Sequence, residues 1–270
     1  MLFKRGSSDG IRPVNLSTRR PFWKRFLGLL CAVSCVVGLA ALITLYLFMQ
    51  PRRDQSETFD LNAIGKLEIP SRIYDRNGVE IGQIKIEDRR PIKLEKVPYH
   101  FIQALTAVED SRFFQHDGID YIGIMRAAIL NFKAQRVTQG ASTITQQLAK
   151  QCYPELKKNR NLDTKIIEAF LAQRLEKDFT KPEILEHYLN RIFFGSGYFG
   201  IESAARGYFG KSAGQLDVIE SATICGLIKS PSRLSPRTNP DGSRKARNHV
   251  LRRMHAEGMI SNRELPVYLK

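Results

Sequence analysis

The stretch that decides the fold runs from Asp163 to Leu189 and reads DTKIIEAFLAQRLEKDFTKPEILEHYL. Apolar residues recur in its first half at helical spacing, which is typical of a helix with one buried stripe: Ile166, Ile167, Phe170, Leu171 and Leu175. Asp163 is the predicted N-cap of this helix. The residues from Thr180 to Glu183 then form a capping box with a proline inside it, which predicts the start of a second helix. Two helices joined by a short polar turn indicate a mainly α domain.

Helical periodicity continues on both sides of this pair. A helix is predicted to begin at Pro98 and to place Glu109 and Asp110 at its C-terminal end. Other helices are predicted over residues 121–132, 217–228 and 243–257. Before all of them, SRIYDRNGVEIGQI (residues 71–84) alternates around Asn77-Gly78, a strong hairpin signal. The sequence therefore predicts a mainly α domain with a small N-terminal β-hairpin.

One uncharged stretch near the N-terminus is long enough to cross a membrane. Residues 26–48 contain 23 residues without a charge, and a helix needs about 20 to span the hydrocarbon core. Residues 1–25 carry seven cationic side chains against the single Asp9, a net charge of +6, which favours a cytoplasmic N-terminus. The alternative is a cleaved signal peptide, whose apolar region is shorter, at about 7–15 residues. We therefore expect an uncleaved, single-pass transmembrane helix.

The chain divides into five predicted segments. At 270 residues it is long enough for one sizeable core with appendages. The segments are a basic cytoplasmic tail, a transmembrane helix, a polar linker, a main domain outside the cytoplasm and a C-terminal tail: residues 1–25, 26–48, 49–69, 70–262 and 263–270.

Two polar strings in the main domain carry candidate chemistry, and the first is EDSRFFQHDG, residues 109–118. It places the carboxylates of Glu109 and Asp110 close in sequence to Phe113, Phe114 and His116. Like charge and burial against aromatic rings raise the pKa of a carboxyl group towards the range that a general base needs. The alternative is an ordinary helix C-terminus with solvent-exposed acids.

The second string, QGASTITQQLAK (residues 139–150), concentrates hydroxyl and amide side chains after a glycine: Ser142, Thr143, Thr145, Gln146 and Gln147. The alternative to a binding site is a helix N-terminus capped by Ser142 or Thr143. Capping accounts for one hydroxyl group and leaves Thr145, Gln146 and Gln147 unexplained, although each needs a hydrogen-bond partner if buried. Because helix N-termini also bind anions, this string predicts a phosphate-binding site.

A set of cationic residues accompanies these strings: Arg126, Lys150, Arg160 and Lys165. Taken singly, each is typical of a solvated surface. Together with Glu168, they have the charges needed to hold a diphosphate, either directly or through a divalent metal ion that bridges acid and phosphate oxygens.

Several other site types find no support in the sequence. The five histidines lack metal-ligand spacing, and no phosphate loop, dinucleotide fingerprint or Ser-x-x-Lys nucleophile occurs. His187 is interpreted as a helix-face histidine. The cysteines show no paired spacing, and a disulfide between Cys152 and Cys225 is left open.

Five strings together carry a family resemblance. In order they are EDSRFFQHDG, GASTITQQLAK, TKIIEAFLAQRLEK, KPEILEHYLNRIFFGSGYFGIESAARGYFGK and ATICGLIKSPSRLSP. They resemble the five motifs of family 51 peptidoglycan glycosyltransferases, which form the polymerising domain of class A penicillin-binding proteins and the whole of the monofunctional transglycosylases. The resemblance covers residues from about Ser71 to Met259. It implies a lysozyme-like helical fold, and we expect a polymerase without a transpeptidase domain.

The resemblance also implies roles for particular residues. Glu109 corresponds to the general base, which deprotonates the 4-hydroxyl of the N-acetylglucosamine of lipid II. That oxygen attacks the anomeric carbon of the lipid-linked donor, inverts the linkage and releases undecaprenyl diphosphate. Glu168 corresponds to a second essential glutamate, which positions the diphosphate or a Mg²⁺ or Mn²⁺ ion bound to it. The residues at substrate-binding positions are Asp110, His116, Arg126, Ser142, Thr143, Gln146, Gln147, Lys150, Arg160 and Lys165.

Two residues depart from the family pattern. Thr164 precedes Lys165 where the family usually has arginine, and Gln151 follows Lys150 where it usually has asparagine. We expect each to weaken the grip on the donor, while neither removes a catalytic group.

The implied partners are lipid II, the growing lipid-linked glycan, membrane lipids and a separate transpeptidase or other cell-wall synthesis protein. No nucleic acid and no organic cofactor are expected. The implied location is the bacterial inner membrane, with the catalytic domain in the periplasm and the apolar residues 121–132 against the outer leaflet.

Two rival functions are kept open. A lysozyme-like helical domain with a catalytic glutamate is also compatible with a glycan-cleaving enzyme, although a polymer cleaver needs neither diphosphate-binding cations nor a membrane anchor. A non-catalytic scaffold that binds lipid II or the cell-wall machinery is the other rival.

Overall fold

The computed structural model describes residues 22–66, 71–78, 80–84, 88–136, 140–158 and 161–270. In these ranges the chain is mainly helical, with short strands, which confirms the predicted fold class. The chain forms two compact units, residues 1–50 and residues 51–270.

The α-helices follow one another with short connections. They are α1 (Phe22–Glu57), α2 (Tyr99–Glu109), α3 (Tyr121–Ala134), α4 (Ile144–Cys152), α5 (Glu155–Lys158), α6 (Leu162–Asp178), α7 (Lys181–Arg191), α8 (Ile201–Phe209), α9 (Val218–Leu227), α10 (Pro240–Ala256) and α11 (Glu264–Tyr268). Short 3₁₀ helices lie at Leu61–Ile64, Leu94–Lys96, Phe113–Gln115 and Ala213–Gln215.

Helix α1 contains the predicted membrane span. It is 36 residues long, its most apolar window has a mean hydropathy of 2.7, and that window is unburied. Among the described residues it is the one helix long and apolar enough to cross a membrane. The helix begins before residue 26 and continues past residue 48, so the charged residues after the apolar stretch remain helical.

Two small β-elements accompany the helices. Strands β1 (Ser71–Tyr74) and β2 (Glu80–Ile84) pair antiparallel, as the Asn77-Gly78 turn predicts. Strands β3 (Asp88–Arg89) and β4 (Tyr198–Phe199) pair in parallel and connect the start of the domain to the loop after α7. The sequence pattern missed this second pair because two residues are too few to show alternation.

The main apolar core lies among α2, α4, α7, α8, α9 and α10. Phe101 and Leu105 of α2, Leu148 of α4 and Tyr188 of α7 are buried there. Each of these helices presents one apolar stripe inwards, which is how amphipathic helices stabilise a shared core.

The start of α6 differs from the prediction. Its N-cap is Asn161, whose side-chain oxygen accepts from the Thr164 amide at 2.8 Å, whereas Asp163 lies inside the first turn and pairs with Arg52 at 2.5 Å. The capping box of α7 is present as predicted, with the Thr180 amide donating to Glu183 at 2.7 Å.

The segment after α1 differs from the predicted polar linker. Its described part, which ends at Lys66, contains Ile64, and this side chain is fully buried against Tyr153 and Leu171. The guanidinium group of Arg191 donates to the carbonyl oxygen of Ile64 at 2.6 Å and to that of Lys66 at 2.8 Å. These contacts make the segment part of the folded domain. The segment 263–270 also differs from a simple tail, because it contains α11, which packs on the core.

One glycine allows a close approach that the site requires. Gly118 has a φ of +85°, and a Cβ atom there would lie 2.7 Å from the backbone of Ala172 in α6. Any other residue would be strained in this left-handed conformation and would also collide with α6. The loop that follows α2 is therefore held directly against the helix that carries Glu168.

Candidate active site

Glu109 is the last residue of α2, and one hydrogen bond fixes its side chain. Gln147 of α4 donates from Nε2 to Glu109 Oε2 at 2.7 Å. In the described ranges no other group hydrogen-bonds to the Glu109 carboxylate, so Oε1 is available to a substrate. The alternative of an exposed acid at a helix end is wrong for this residue, because it is only partly exposed and is hydrogen-bonded to Gln147.

The surroundings of Glu109 favour its protonated form. Burial, the largest cause, raises the pKa of Glu109 above its ordinary value. The amide of Gln147 lowers the pKa, Asp110 raises it and Lys229 lowers it, each by less. A carboxyl group whose pKa is raised in this way is a stronger proton acceptor, as a general base requires.

The neighbouring Asp110 has a different task. It is buried, and its carboxylate accepts from His116 Nε2 at 3.1 Å and from the Ile144 amide at 3.0 Å. It therefore ties the loop after α2 to the first turn of α4. His116 is buried too, and its Nδ1 has no hydrogen-bond partner among the described residues. Both side chains support the loop after α2, while their predicted contact with substrate stays a prediction.

The hydroxyl and amide string after Gly140 is used largely within the protein. The Thr143 hydroxyl caps α4 by accepting from the Gln146 backbone amide. The Thr143 amide in turn donates to Gln146 Oε1 at 3.2 Å, which completes a capping box. The Thr143 hydroxyl also donates to the carbonyl of Gly118 at 2.6 Å. Capping therefore accounts for two side chains where one was expected. Thr143 and Gln146 are 2% and 3% exposed. They would therefore support a phosphate site by fixing the conformation of this turn and not by contacting the phosphate.

Thr145 belongs to a buried ionic network that the sequence did not indicate. Its hydroxyl donates to Glu176 at 2.5 Å, and Lys181 donates to the same carboxylate at 2.7 Å. Lys181 also donates to the carbonyl of His116 at 2.6 Å and lies over the ring of Phe113 at 4.3 Å. The network holds together α4, α6, α7 and the loop after α2.

Glu168 lies in the cationic part of the site. It is buried within α6, accepts from Lys165 at 2.9 Å and lies 4.0 Å from Lys150 of α4. Lys165 also donates to the Ser142 hydroxyl at 2.8 Å. The two ammonium groups are partly exposed and outnumber the one carboxylate, so the cluster keeps a positive charge for an anion.

Helix α4 brings the two glutamates into one site. Gln147 contacts Glu109, and Lys150 reaches Glu168. Residues three apart on a helix lie on one face, about 4.5 Å apart along the axis. The proton acceptor and the cationic cluster therefore meet along a single helix face.

Two predicted cations are not brought into this cluster by any contact in the described structure. Arg126 lies on α3 and is exposed. Arg160 lies outside the described residues. Their roles stay predictions from the resemblance.

Comparison with known proteins identifies the family. A family model for the transglycosylase domain matches residues 77–255, more than half of the chain. The chain belongs to the transglycosylase family. The resemblance to family 51 glycosyltransferases is thereby confirmed.

Several curated proteins resemble this transglycosylase chain. It is 41% identical over 237 residues to penicillin-binding protein 1A of Escherichia coli, covering 87% of this chain and 27% of that protein. It is 45% identical over 191 residues to penicillin-binding protein 1A of Aquifex aeolicus, covering 71% and 26%. A putative transglycosylase of Cupriavidus necator is 43% identical over 173 residues, covering 64% and 74%. The chain spans about a quarter of the length of these penicillin-binding proteins.

The donor set of this transglycosylase does not fit a metal ion held by the protein. Among the described residues there is no group of three or more histidine, cysteine or acidic side chains that could hold one. Glu168 is the one predicted metal ligand, and its two oxygens face the ammonium groups of Lys165 and Lys150. The predicted Mg²⁺ or Mn²⁺ ion bound through the diphosphate stays a prediction.

The transglycosylase site contains two residues that sequence reasoning did not single out. Tyr188 lies in the second predicted helix, and its hydroxyl donates to Gln147 Oε1 at 2.9 Å. A buried tyrosine needs a hydrogen-bond partner, and that rule was the available signal. Lys229 lies in the last motif, and its positive charge lowers the pKa of Glu109. Nothing in the local sequence pattern distinguishes it from a surface lysine.

The structure also shows the state of the cysteines and the surroundings of His187. Cys152 and Cys225 are both free thiols, so the disulfide that was left open is absent from this structure. His187 packs edge-on against Phe179, with ring centroids 5.5 Å apart, as a helix-face histidine does.

Proposed function

We propose that the protein is a peptidoglycan glycosyltransferase that polymerises lipid II into glycan strands and releases undecaprenyl diphosphate. The observation that carries the proposal is the pairing on α4. One face of this helix joins a partly buried carboxylate with a raised pKa, Glu109, to a lysine cluster at Glu168. A general base near a cationic site is what transfer from a diphosphate-linked donor to a sugar hydroxyl requires.

Glu109 supplies the base chemistry in this proposal. Oε2 is held by Gln147, and Oε1 accepts the proton of the acceptor 4-hydroxyl as its oxygen attacks the anomeric carbon of the donor. The new glycosidic bond forms as the bond to the diphosphate breaks, so the anomeric centre inverts. The proton is then on Glu109, and burial stabilises that neutral form.

The lysine cluster supplies the leaving-group chemistry. Negative charge develops on the diphosphate oxygen as the donor bond breaks, and Lys165 and Lys150 lie ready to neutralise it. Glu168 holds both ammonium groups in place, and Ser142 fixes Lys165 from the other side. A diphosphate stabilised in this way leaves without a strong proton donor, so the mechanism needs no second acid.

The proposed location is the inner membrane, with α1 as a single span and the N-terminus in the cytoplasm. The cationic flank and the length of the apolar stretch support this topology. Helix α3 provides a second proposed membrane contact, since Ala127 is its one buried position. Its large apolar side chains are well exposed, with Phe132 at 85% and Met125 at 66%, which marks an interaction surface. A separate transpeptidase or other cell-wall protein is the proposed protein partner.

The geometry argues against the glycan-cleaving rival. Glycoside hydrolases use two carboxyl groups flanking the scissile bond, one of them as a free acid or nucleophile. Here the second carboxylate, Glu168, is engaged by two lysines. The scaffold rival does not explain a general base with one oxygen left open.

The deciding experiment supplies purified full-length protein with lipid II in detergent and follows glycan polymer on gels. We expect polymer from the wild type and a loss of about 10²–10⁴-fold in Glu109→Gln, because the amide cannot accept the proton. Exchange of the exposed Glu95 for glutamine is the matched control and should leave the rate unchanged. Binding of lipid II without polymer would favour the scaffold, and shortening of preformed glycan would favour the cleaver.

A further inference from the structure

Tyr188 lies behind the Glu109 carboxylate and is linked to it through one side chain. Its ring is fully buried in α7, and its hydroxyl donates to Gln147 Oε1 at 2.9 Å. The same amide donates from Nε2 to Glu109 Oε2 at 2.7 Å. A phenol, an amide and a carboxylate thus form a line from the core to the site.

The phenol determines which way the amide points. A neutral tyrosine hydroxyl carries one proton to donate, whereas an amide has a donor end and an acceptor end. In the described ranges the Tyr188 hydroxyl has Gln147 Oε1 as its only acceptor. The amide carbonyl must therefore face Tyr188, and the NH₂ group must face Glu109.

The amide in turn determines which form of Glu109 is stabilised. An NH₂ group that faces the carboxylate donates to the ionised form. If the amide turned over, its carbonyl would repel the ionised carboxylate and would accept a proton from the neutral acid. The turned amide would also leave the buried phenol proton without an acceptor, which is unfavourable.

We propose that Tyr188 is a positioning residue, which keeps Glu109 able to accept a proton by fixing the orientation of the Gln147 amide. The inference rests on the proposed function, in which Glu109 is the base. Tyr188 itself touches neither substrate nor any reacting atom.

The other groups that face Glu109 do not replace this effect. Asp110, the residue that follows α2, accepts from His116 and Ile144. The Cys225 thiol on α9 donates to the Phe101 carbonyl, and Lys229 acts by charge without an observed hydrogen bond to Glu109. Burial and the charge of Glu109 hold the pKa of Tyr188 well above its ordinary range. The phenol therefore keeps its proton throughout the working pH range.

Tyr188→Phe tests the proposal because it removes the hydroxyl and keeps the ring in the core. We expect the acid limb of kcat/KM against pH to move upwards by about half a unit to one unit. On that limb the variant would lose about threefold to tenfold relative to wild type, with little loss on the plateau. Tyr208→Phe is the matched control, since it deletes a phenol that bonds to the Phe194 carbonyl at 2.9 Å, away from Glu109.

A second measurement is independent of turnover. The pKa of Glu109 is read by NMR from the carboxyl carbon in ¹³C-glutamate-labelled full-length protein in detergent, with Glu109→Gln to assign the signal. We expect a higher pKa in Tyr188→Phe and in Gln147→Leu, and no further rise when Tyr188→Phe is added to Gln147→Leu.

The outcomes separate this inference from the proposed function. An unchanged Glu109 pKa in a folded Tyr188→Phe protein overturns the inference, even if lipid II is polymerised. A wild type that makes no polymer counts against the function alone, because the NMR shift is still measurable. If Tyr188→Phe does not fold, Gln147→Leu decides, and an unchanged pKa there also overturns the inference.

Discussion

Glu109, which is partly buried, and Glu168, which is buried, lie near one helix, yet their surroundings are opposite. Glu109 accepts a hydrogen bond from the neutral amide of Gln147 and lies beside the acid Asp110. Glu168 accepts a hydrogen bond from the Lys165 ammonium group at 2.9 Å and lies 4.0 Å from that of Lys150. The first environment makes a carboxylate basic, and the second makes it a fixed anion that orders two cations. The difference shows how one residue type is assigned two roles by its neighbours alone.

The largest effect is expected when the side chain of Glu109 is shortened by one methylene group. In Glu109→Asp the carboxylate retreats by one methylene and can no longer reach both Gln147 and the substrate. A misplacement of about 1 Å costs roughly 10²-fold, so we expect that loss in kcat, measured by lipid II turnover. Glu95→Asp, at an exposed position, is the control. A rate within a few-fold of wild type would show that Glu109 is not the base.

The cationic side is expected to respond less. Lys165→Met removes one of two ammonium groups, and Lys150 remains to meet the diphosphate. We expect kcat/KM to fall about 10–100-fold, with the acid limb of its pH profile in place, because Glu109 is untouched. Lys177→Met, at an exposed position of the same helix, serves as control. A shifted acid limb would mean that the two clusters are not separate in function.

Stability should move in opposite directions at the two glutamates. The folded-state pKa of Glu109 is raised, so the folded protein binds that proton more tightly, and stability falls as pH rises from the ordinary value of 4.5 through the folded value. Glu109→Gln escapes this penalty and should melt a few degrees higher than wild type at pH 8, with no difference well below pH 4.5.

Glu168→Gln should melt lower than wild type at pH 8. It leaves Lys165 without its buried partner, and a loss of about 1 kcal/mol corresponds to about 2–4 °C in a domain of this size. Thermal unfolding followed by circular dichroism at both pH values checks the two signs. Equal shifts in the same direction would contradict the comparison.

The smallest effect is expected outside both clusters. Arg52 and Asp163 form an ion pair at 2.5 Å, but half of the Asp163 side chain is exposed. Such pairs contribute at most about 1 kcal/mol, so Asp163→Asn should shift the melting temperature by no more than a few degrees. The shift should shrink further at high salt, and activity should be unchanged. A large loss of activity would extend the cationic cluster to the start of α6.

The helices that could be predicted are those whose signals are local. The capping boxes at Thr180 and Asp217 and the turn at Asn77-Gly78 depend on residues within a few positions of each other. The pattern predicted Asp163 as the cap of α6, whereas Asn161 is the cap and Asp163 pairs with Arg52, which is distant in sequence.

The site shows the same division. Glu109 and Glu168 were found through motifs, but the partners that make them different come from other elements. The link from Tyr188 through Gln147 joins three helices, and no periodicity reveals which side chains of separate helices meet. In the hydroxyl and amide string, Thr143 and Gln146 hydrogen-bond to each other's backbone in a capping box. Their predicted role in binding phosphate stays a prediction.

Ile64 and the carbonyl groups around it have a practical consequence for anyone who trims this protein. A soluble fragment cut at the apparent end of the linker, near residue 70, would lose the side chain that fills the space beside Tyr153 and Leu171. It would also strip Arg191 of its carbonyl acceptors at the end of α7. A cut just before Pro51, about twenty residues earlier, keeps both sets of contacts.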